Sequence, residues 1–362
     1  MRLRSSAGIT DYFRKNIEGE DLTKRDALEL FEMPIHDVGK LADDIRKQKC
    51  GELVTFVIDR NINYTNVCTS KCKFCAFYAK KAEDGFVLSY DEILRRVGEA
   101  AELGATQIML QGGLNPELGI EWFEDLFRLI KEKFPAVHIH SLSPPEIVFL
   151  AKIEGMSIRD ALERLRGAGL DSLPGGGAEI LVERVRRAIS PNKCTSEEWL
   201  KVMRIAHELG IPTTATMMFG HVESDEDIVE HLFKIRDLQS ETHGFTAFIP
   251  WTFQPGNTEL YSEIKAPVSP LRYLQVLAIS RIILHNFRNI QASWLTQSFE
   301  IATLSLFFGA NDFGGTMLEE NVVRATGKPF RPARVEEIVK AVKSVGRPVA
   351  RRDTYYRILE WF

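Results

Sequence analysis

Short apolar runs alternate with amphipathic stretches along most of this chain, and the alternation sets in near Val54. Runs at Ile62–Val67, Gln107–Leu110, Val137–His140, Ser172–Pro174, Thr213–Met218, Phe245–Ile249 and Ile290–Ser293, with a weaker one at Ala310–Phe313, read as buried strands. The stretches between them place apolar residues at helical spacing behind clear helix starts. Ser89-Tyr90-Asp91-Glu92 is a capping box, followed by Ile93, Val97 and Ala101 on one face and ended by Gly104. Thr195-Ser196-Glu197-Glu198 is another, followed by Trp199, Met203 and Ala206 and closed by Gly210. Ser224 precedes an Ile228, Leu232, Ile235 stripe, and Ser269-Pro270 puts proline at a first helical position.

Strands that alternate with helices run parallel, because each helix supplies the crossover. Eight alternations predict a closed (βα)8 TIM-type barrel. An open doubly wound sheet is the alternative, and no strand-then-Gly-rich dinucleotide fingerprint supports it. Three parts follow: an N-terminal helical extension over residues 1–53, a barrel over 54–325, and a C-terminal helical segment over 326–362 packed on the barrel. In the first part Thr23 caps a helix carrying Ala27, Leu28, Leu30 and Phe31, and Ile35 to Ile45 has helical spacing. That extension packs on the barrel or serves as a partner-binding arm. In the last part Val335, Ile338, Val339 and Val342 mark a helix. The aromatic end, Tyr355, Tyr356, Trp361 and Phe362, docks on the body or meets a second copy.

Composition narrows the class. Of 362 residues, 44% are hydrophobic and 27% charged, as in ordinary globular proteins. A net charge of −4 gives no basic field for nucleic acid. No apolar run reaches membrane-span length, and Met1-Arg2-Leu3-Arg4-Ser5 leads into no apolar signal core. Five cysteines, three of them clustered, suit a reducing cytoplasm better than a disulfide framework.

The cluster is Cys68-Thr69-Ser70-Lys71-Cys72-Lys73-Phe74-Cys75. Soft thiolates at this density select zinc, copper(I) or iron–sulfur clusters. Structural zinc wants four closed ligands, and the chain has no second Cys pair and no His-x-x-x-His. An iron–sulfur cube usually takes four thiolates, so three local ones leave one iron open to a ligand. A zinc-binding module or an electron carrier is the non-enzymatic alternative. Cys50 and Cys194 stand alone, as small buried cysteines usually do.

Barrel chemistry sits at the C-terminal ends of strands. There the chain places the cysteine loop, Gln111-Gly112-Gly113, His140 with Ser141 and Ser143, and Gly175-Gly176-Gly177-Ala178-Glu179. Met217-Met218-Phe219-Gly220-His221, Trp251, Gln291, Ser293, Trp294, Thr296 and Asp312 follow. One ligand cavity explains this polar cluster. The glycines are tight turns or points where backbone nears a ligand. Glu179 is a first-turn helix residue or a ligand contact. His140 and His221 are satisfied core histidines or proton carriers. Phe248, Trp251, Phe253 and Trp294 are core, or the aromatic wall of a dry cavity.

The cysteine spacing resembles that of the radical S-adenosylmethionine (SAM) superfamily. The resemblance implies a 4Fe–4S cluster on Cys68, Cys72 and Cys75, with SAM on the open iron. It further implies Phe74 against the adenine, and Gln111, Gly112, Gly113, Ala178 and Glu179 around SAM. Longer strings narrow the match: Asp59–Cys68, Gly169–Leu181, Ala215–Glu223, Gly244–Trp251 and Gly309–Met317, running into Glu319-Glu320-Asn321-Val322. These are similar to the menaquinone/deazaflavin-cofactor branch, most of all to the cyclic dehypoxanthine futalosine synthase family. Aminofutalosine synthases and the deazaflavin-forming enzymes are the sister alternatives. That family implies an oxidoreductase of menaquinone biosynthesis. It takes hydrogen from the ribose C4′ of dehypoxanthine futalosine and closes a spirocycle on the benzoate ring. A base then removes a ring proton, with His140, His221 and Asp312 as candidates. Ser143, Trp251, Gln291, Ser293, Trp294 and Thr296 are the implied contacts of this nucleoside–benzoate substrate. A reducing partner such as flavodoxin or ferredoxin is implied as well.

Overall fold

The computed structural model describes residues 22–362, so the expectations for residues 1–21, the missing signal core included, lie outside the described residues. The first barrel strand begins earlier than its apolar run suggested. Val54–Val57 (β1) and Asp59–Ile62 (β2) are two halves of one strand, interrupted at Ile58. β2 pairs in parallel with Gln107–Leu110 (β3), and β3 with His138–Ser141 (β4). Bridges His140–Ser172 and Leu173–Thr213 then lead to Thr213–Phe219 (β5), Phe245–Thr252 (β6) and Asn289–Ile290 (β7). A bridge from Gln291 to Asp312 joins Asp312–Gly315 (β8), which pairs with β1. The ring closes, so the fold is the TIM-type barrel and not an open sheet. Its fourth strand shrinks to two bridged residues because a proline, which cannot donate, and three glycines follow at once.

The expected caps hold the crossover helices. Ser89 Oγ accepts the Glu92 N–H, and Thr195 and Ser224 form full capping boxes with Glu198 and Asp227. Ser269 Oγ accepts the Arg272 N–H behind the proline. The stripes they launch face inward: Ile93, Val97, Trp199, Met203, Ile228 and Leu232 are fully buried. The helix Ile35–Cys50 lies along Pro270–Ile283 and buries Val38, Leu41 and Ala42, so the described part of the N-terminal extension is packing.

The C-terminal segment carries its expected helix, Val335–Ser344, with Ile338 and Val342 buried. It also holds a hairpin that the aromatic pattern did not indicate. Val349–Arg352 (β9) adds in parallel to β1, and Ile358–Trp361 (β10) returns antiparallel on β9. β1 therefore lies between β8 and β9, while β2, beyond the Ile58 break, pairs with β3. The last strands fill the space that opens below that break and close the barrel floor. Among the described residues no helix is long and apolar enough to cross a membrane.

Candidate active site

The barrel encloses a cavity of about 270 Å³. Trp251, Gln291, Ser293, Trp294 and Thr296 line it on one side, with His140, Gln111, Asn61 and Asp59 on the other. Arg352, Thr354 and Tyr356 from the C-terminal hairpin form its floor. Trp294 is fixed by its indole N–H, which donates to Gly315 O at 3.0 Å. Ser293 Oγ and Thr296 Oγ1 lie 2.7 Å apart. Phe248 and Phe253, expected in the aromatic wall, are buried in the core behind it, Phe248 against Phe287 and Phe253 against His221. The aromatic side of the cavity is made by the two tryptophans.

Above the strands, the cysteine loop is held at three points. Thr69 N–H donates to Leu114 O (3.0 Å), Lys73 N–H to Ile189 O (2.8 Å) and Ala79 N–H to Asn66 O (2.9 Å). Lys71 takes a positive φ of 46° within it. Cys72 is buried; Cys68 and Cys75 are half-buried. Burial pushes the Cys72 and Cys75 thiols up, and the Lys193 ammonium pulls both back. The three thiols are not closed into a single-ion site: no three His, Cys, Asp or Glu side chains among the described residues are so gathered.

The glycine and glutamate segments meet this loop. A Cβ on Gly113 would stand 2.2 Å from Val67 O and 2.9 Å from Cys68 Cβ, so only glycine admits the loop here. The Gly112 and Gly113 N–H groups are spent on Glu146 and Thr65, leaving two carbonyls at the loop. Glu179 has φ +41°, a conformation unusual for a non-glycine residue, which clusters at functional sites. Its Oε1 accepts from Lys193 Nζ at 3.0 Å. Its Oε2 is buried without a hydrogen bond, Arg186 standing 3.6 Å away and donating instead to Gly177 O and Ala178 O. Lys193 also stands 5.0 Å over the Phe74 ring. Burial alone would lower this lysine, but the Cys72 thiol and the Glu179 carboxylate outweigh it and hold its pKa up. These features suit the two implied cofactors: an orphaned carboxylate oxygen, free backbone acceptors and a cation beside an aromatic ring face three thiols.

The three candidate bases separate clearly. His140 lines the cavity, and its Nδ1 meets Ser172 Oγ at 2.6 Å. The same hydroxyl meets His138 Nε2 at 2.7 Å. Burial, with His138 and Arg352 adding, lowers His140 to about 3, so the ring is neutral. His221 is removed from the set. Its ring is buried outside the cavity, with Nε2 on Met218 O at 3.0 Å and Nδ1 on the Val222 N–H at 2.8 Å. Asp312 is removed too. It begins β8 rather than ending it, and Arg352 holds it at 2.6 and 3.0 Å while Gly314 N–H and the Thr55 hydroxyl take its remaining sites. Ser143 is the third correction: it is the N-cap of the helix Pro144–Ile153, its hydroxyl on Glu146, and it does not line the cavity.

Three functional-looking groups have no role assigned from the sequence. Lys193 sits in a turn with no periodic signal. Glu146 gathers Tyr64 OH, Gly112 N–H and Ser143 N–H, and so fixes the Gly-Gly turn. Asp59 faces the cavity.

A closed barrel with a three-cysteine loop over its mouth, and a glycine pair and an orphaned glutamate against that loop, defines a class of radical-generating enzymes. Comparison with known proteins agrees. Residues 62–235 match the radical SAM superfamily and residues 242–361 the CofH/MqnC C-terminal region. The chain is 46% identical to cyclic dehypoxanthine futalosine synthase of Streptomyces coelicolor, over 94% of this chain and 86% of that one. It is 42% identical to 5-amino-6-(D-ribitylamino)uracil–L-tyrosine 4-hydroxyphenyl transferase 1 of Methanosarcina acetivorans, over 93% of this chain and 91% of that one. Among solved structures, methylornithine synthase superposes with a TM-score of 0.73 at 19% identity, covering 94% of this chain and 96% of that one, a likeness of fold. The chain belongs to the radical SAM superfamily, in its CofH/MqnC branch. It is thus a radical SAM enzyme, whose cofactors are a 4Fe–4S cluster and SAM, acting on a small molecule.

Proposed function

We propose that this enzyme is an oxidoreductase that converts dehypoxanthine futalosine to cyclic dehypoxanthine futalosine in menaquinone biosynthesis, in the cytoplasm, with flavodoxin or ferredoxin as reductant. The observation that carries this reading is the 46% identity to a synthase of that name over nearly the whole chain. The cavity supports it, with two tryptophans as a wall for an aromatic ring and a polar wall opposite for a sugar.

When bound, cluster and SAM supply a primary carbon radical that abstracts hydrogen. The protein's own residues do the rest. Cys68, Cys72 and Cys75 hold the cluster. Phe74 takes the adenine, and the Gly112 and Gly113 carbonyls take the methionine ammonium. Gln111, which opens that turn, sits at its boundary with the cavity. Glu179 Oε2, freed of protein donors, accepts from SAM, and the Ala178 backbone carries it there. Trp251 and Trp294 flank the benzoate, and Gln291, Ser293 and Thr296 meet the polar part of the substrate. Enclosure by the barrel keeps water from the radical and holds C4′ in contact.

The transferase relatives favour a second reading, addition of a tyrosine-derived fragment to a ribitylaminouracil. Anaerobic turnover of reconstituted enzyme separates the two. With deuterium at ribose C4′ of dehypoxanthine futalosine, the released 5′-deoxyadenosine gains deuterium and the product is two hydrogens lighter than substrate. Turnover only with tyrosine and the ribitylaminouracil overturns the cyclase reading. Adenine retained in the product identifies an aminofutalosine synthase.

A further inference from the structure

Among the described residues, most buried carboxylates other than Glu179 are spent. Glu124, Asp227 and Asp353 are paired with Arg164, Arg184 and Arg357. Glu146 and Asp312 are filled as described above. Glu320 accepts the N–H groups of Val322, Val323 and Arg324. Asp59 differs. It is 7% exposed, and its Oδ1 accepts one backbone N–H, from Met317 at 2.9 Å. Its Oδ2 has no hydrogen-bond partner among the described residues. Two positions on, Asn61 lines the same cavity, and its buried Oδ1 is likewise without a donor. Residues two apart on a strand face the same way. β2 therefore turns an unfilled carboxylate and an unfilled amide oxygen into the cavity, opposite the tryptophans. An unpaired buried polar atom such as Asn61 Oδ1 is costly, and a ligand in the cavity would satisfy it while meeting the open Asp59 Oδ2.

We infer that Asp59 is the proton acceptor of the reaction, and that Asn61 accepts a hydrogen bond from a substrate hydroxyl. This rests on the cyclase reading. After ring closure the benzoate ring carries hydrogen on the attacked system and one unpaired electron. The C–H bond breaks, its proton goes to Asp59 Oδ2 and its electron pair restores the aromatic ring. The unpaired electron passes to an iron–sulfur one-electron acceptor. The ionisation of Asp59 suits the task. Burial raises it to about 6; the Met317 N–H and Arg352 oppose that, and Asp312 adds to it. The other titratable groups on the cavity wall are His140, Glu320, Tyr356 and the Arg352 cation, which Asp312 holds. None competes: His140 is neutral with a pKa near 3, Glu320 is filled, and burial pushes Tyr356 up.

The test compares parent, Asp59→Asn and Asp59→Glu, all reconstituted, with C4′-deuterated dehypoxanthine futalosine. In Asp59→Asn, iron content and SAM binding stay at parental level, and deuterated 5′-deoxyadenosine still forms in the first turnover. Cyclised product falls about 10²-fold, the range of a lost general base, and Asp59→Glu restores part of it. In the parent, product formed per 5′-deoxyadenosine declines as pH falls through about 6. A parental product yield from Asp59→Asn overturns the inference alone. A product ratio in the parent that stays flat from about pH 5 to 8 also overturns it, even if the variant fails to fold. A parent that releases no 5′-deoxyadenosine with this nucleoside overturns the cyclase reading, and the inference with it.

Discussion

Lys193 and Glu179 form a buried ion pair of 3.0 Å beneath the cysteine loop, and it leaves the second carboxylate oxygen without a hydrogen bond, 3.6 Å from Arg186. A buried carboxylate oxygen without a donor is costly, and a hydrogen bond to a charged group contributes about 1.5–3 kcal/mol. Glu179→Gln keeps the shape and removes the charge. It weakens SAM binding roughly 10- to 100-fold, with iron content unchanged. Isothermal titration of the reconstituted protein with SAM measures it. Unchanged affinity reduces Glu179 to a structural partner of Lys193.

Gly113 gives a prediction of the opposite kind, on the cluster rather than SAM. The Cβ of Gly113→Ala meets backbone at 2.2 Å, which no rotamer change relieves. The loop must move, at about 1–3 kcal/mol for an overpacked contact. Iron per chain after anaerobic reconstitution falls clearly below the parent's, while Gly167→Ala, with open space around it, leaves iron unchanged.

Periodicity made the barrel readable, because strand and helix repeats differ and each crossover helix announced itself with a cap. The cysteine loop was readable because its chemistry is local in sequence. What was hidden depends on contacts between distant positions. Asp312 looked like a strand-end base, and nothing near it in the chain foretold Arg352, forty residues on. The C-terminal hairpin's strands, Val349–Arg352 and Ile358–Trp361, are four residues each, with paired rather than alternating apolar and polar positions, so no strand period marks them. Asp59 was lost by register. With the first strand placed at Ile62–Val67, Asp59 fell on the approach to it, whereas Val54–Ile62 turns it inward.

Stability should fall in mild acid, and the sign follows from the histidines. Burial lowers His140 and His231 to about 3 and His138 and His207 to about 4. Unfolded histidine titrates near 6.5, so between there and 3–4 the unfolded chain binds protons that the native chain refuses. Their contribution is complete above about pH 6.5 and is lost as pH falls. Each costs up to about 2 kcal/mol at pH 5 by this linkage. Asp59 acts oppositely, since its raised pKa makes the native state bind the extra proton first. Burial raises Glu146 and Glu320 in the same opposing direction, and the four histidines, each lowered to about 3 or 4, leave a net loss. Urea denaturation of the metal-free protein at pH 7 and 5 measures it, and equal midpoints would contradict the burial of these rings.

The Asp312–Arg352 pair is expected to hold the barrel floor rather than to move protons. Both side chains are buried and joined by two hydrogen bonds, and Arg352 Cζ lies 3.9 Å from the centre of the Tyr356 ring. Removing one partner of a buried pair strands the other charge, at about 3–5 kcal/mol. Asp312→Ala therefore lowers the denaturation midpoint sharply. Asp312→Asn, which keeps an acceptor for the guanidinium, loses less. The double variant Asp312→Leu with Arg352→Met removes both charges and recovers most of the loss, because no buried ion remains unpaired. Product formed per 5′-deoxyadenosine stays at the parental value in Asp312→Asn wherever the protein folds. Were Asp312 the base, that ratio would collapse while the midpoint barely moved, so the two measurements on one variant decide between the roles.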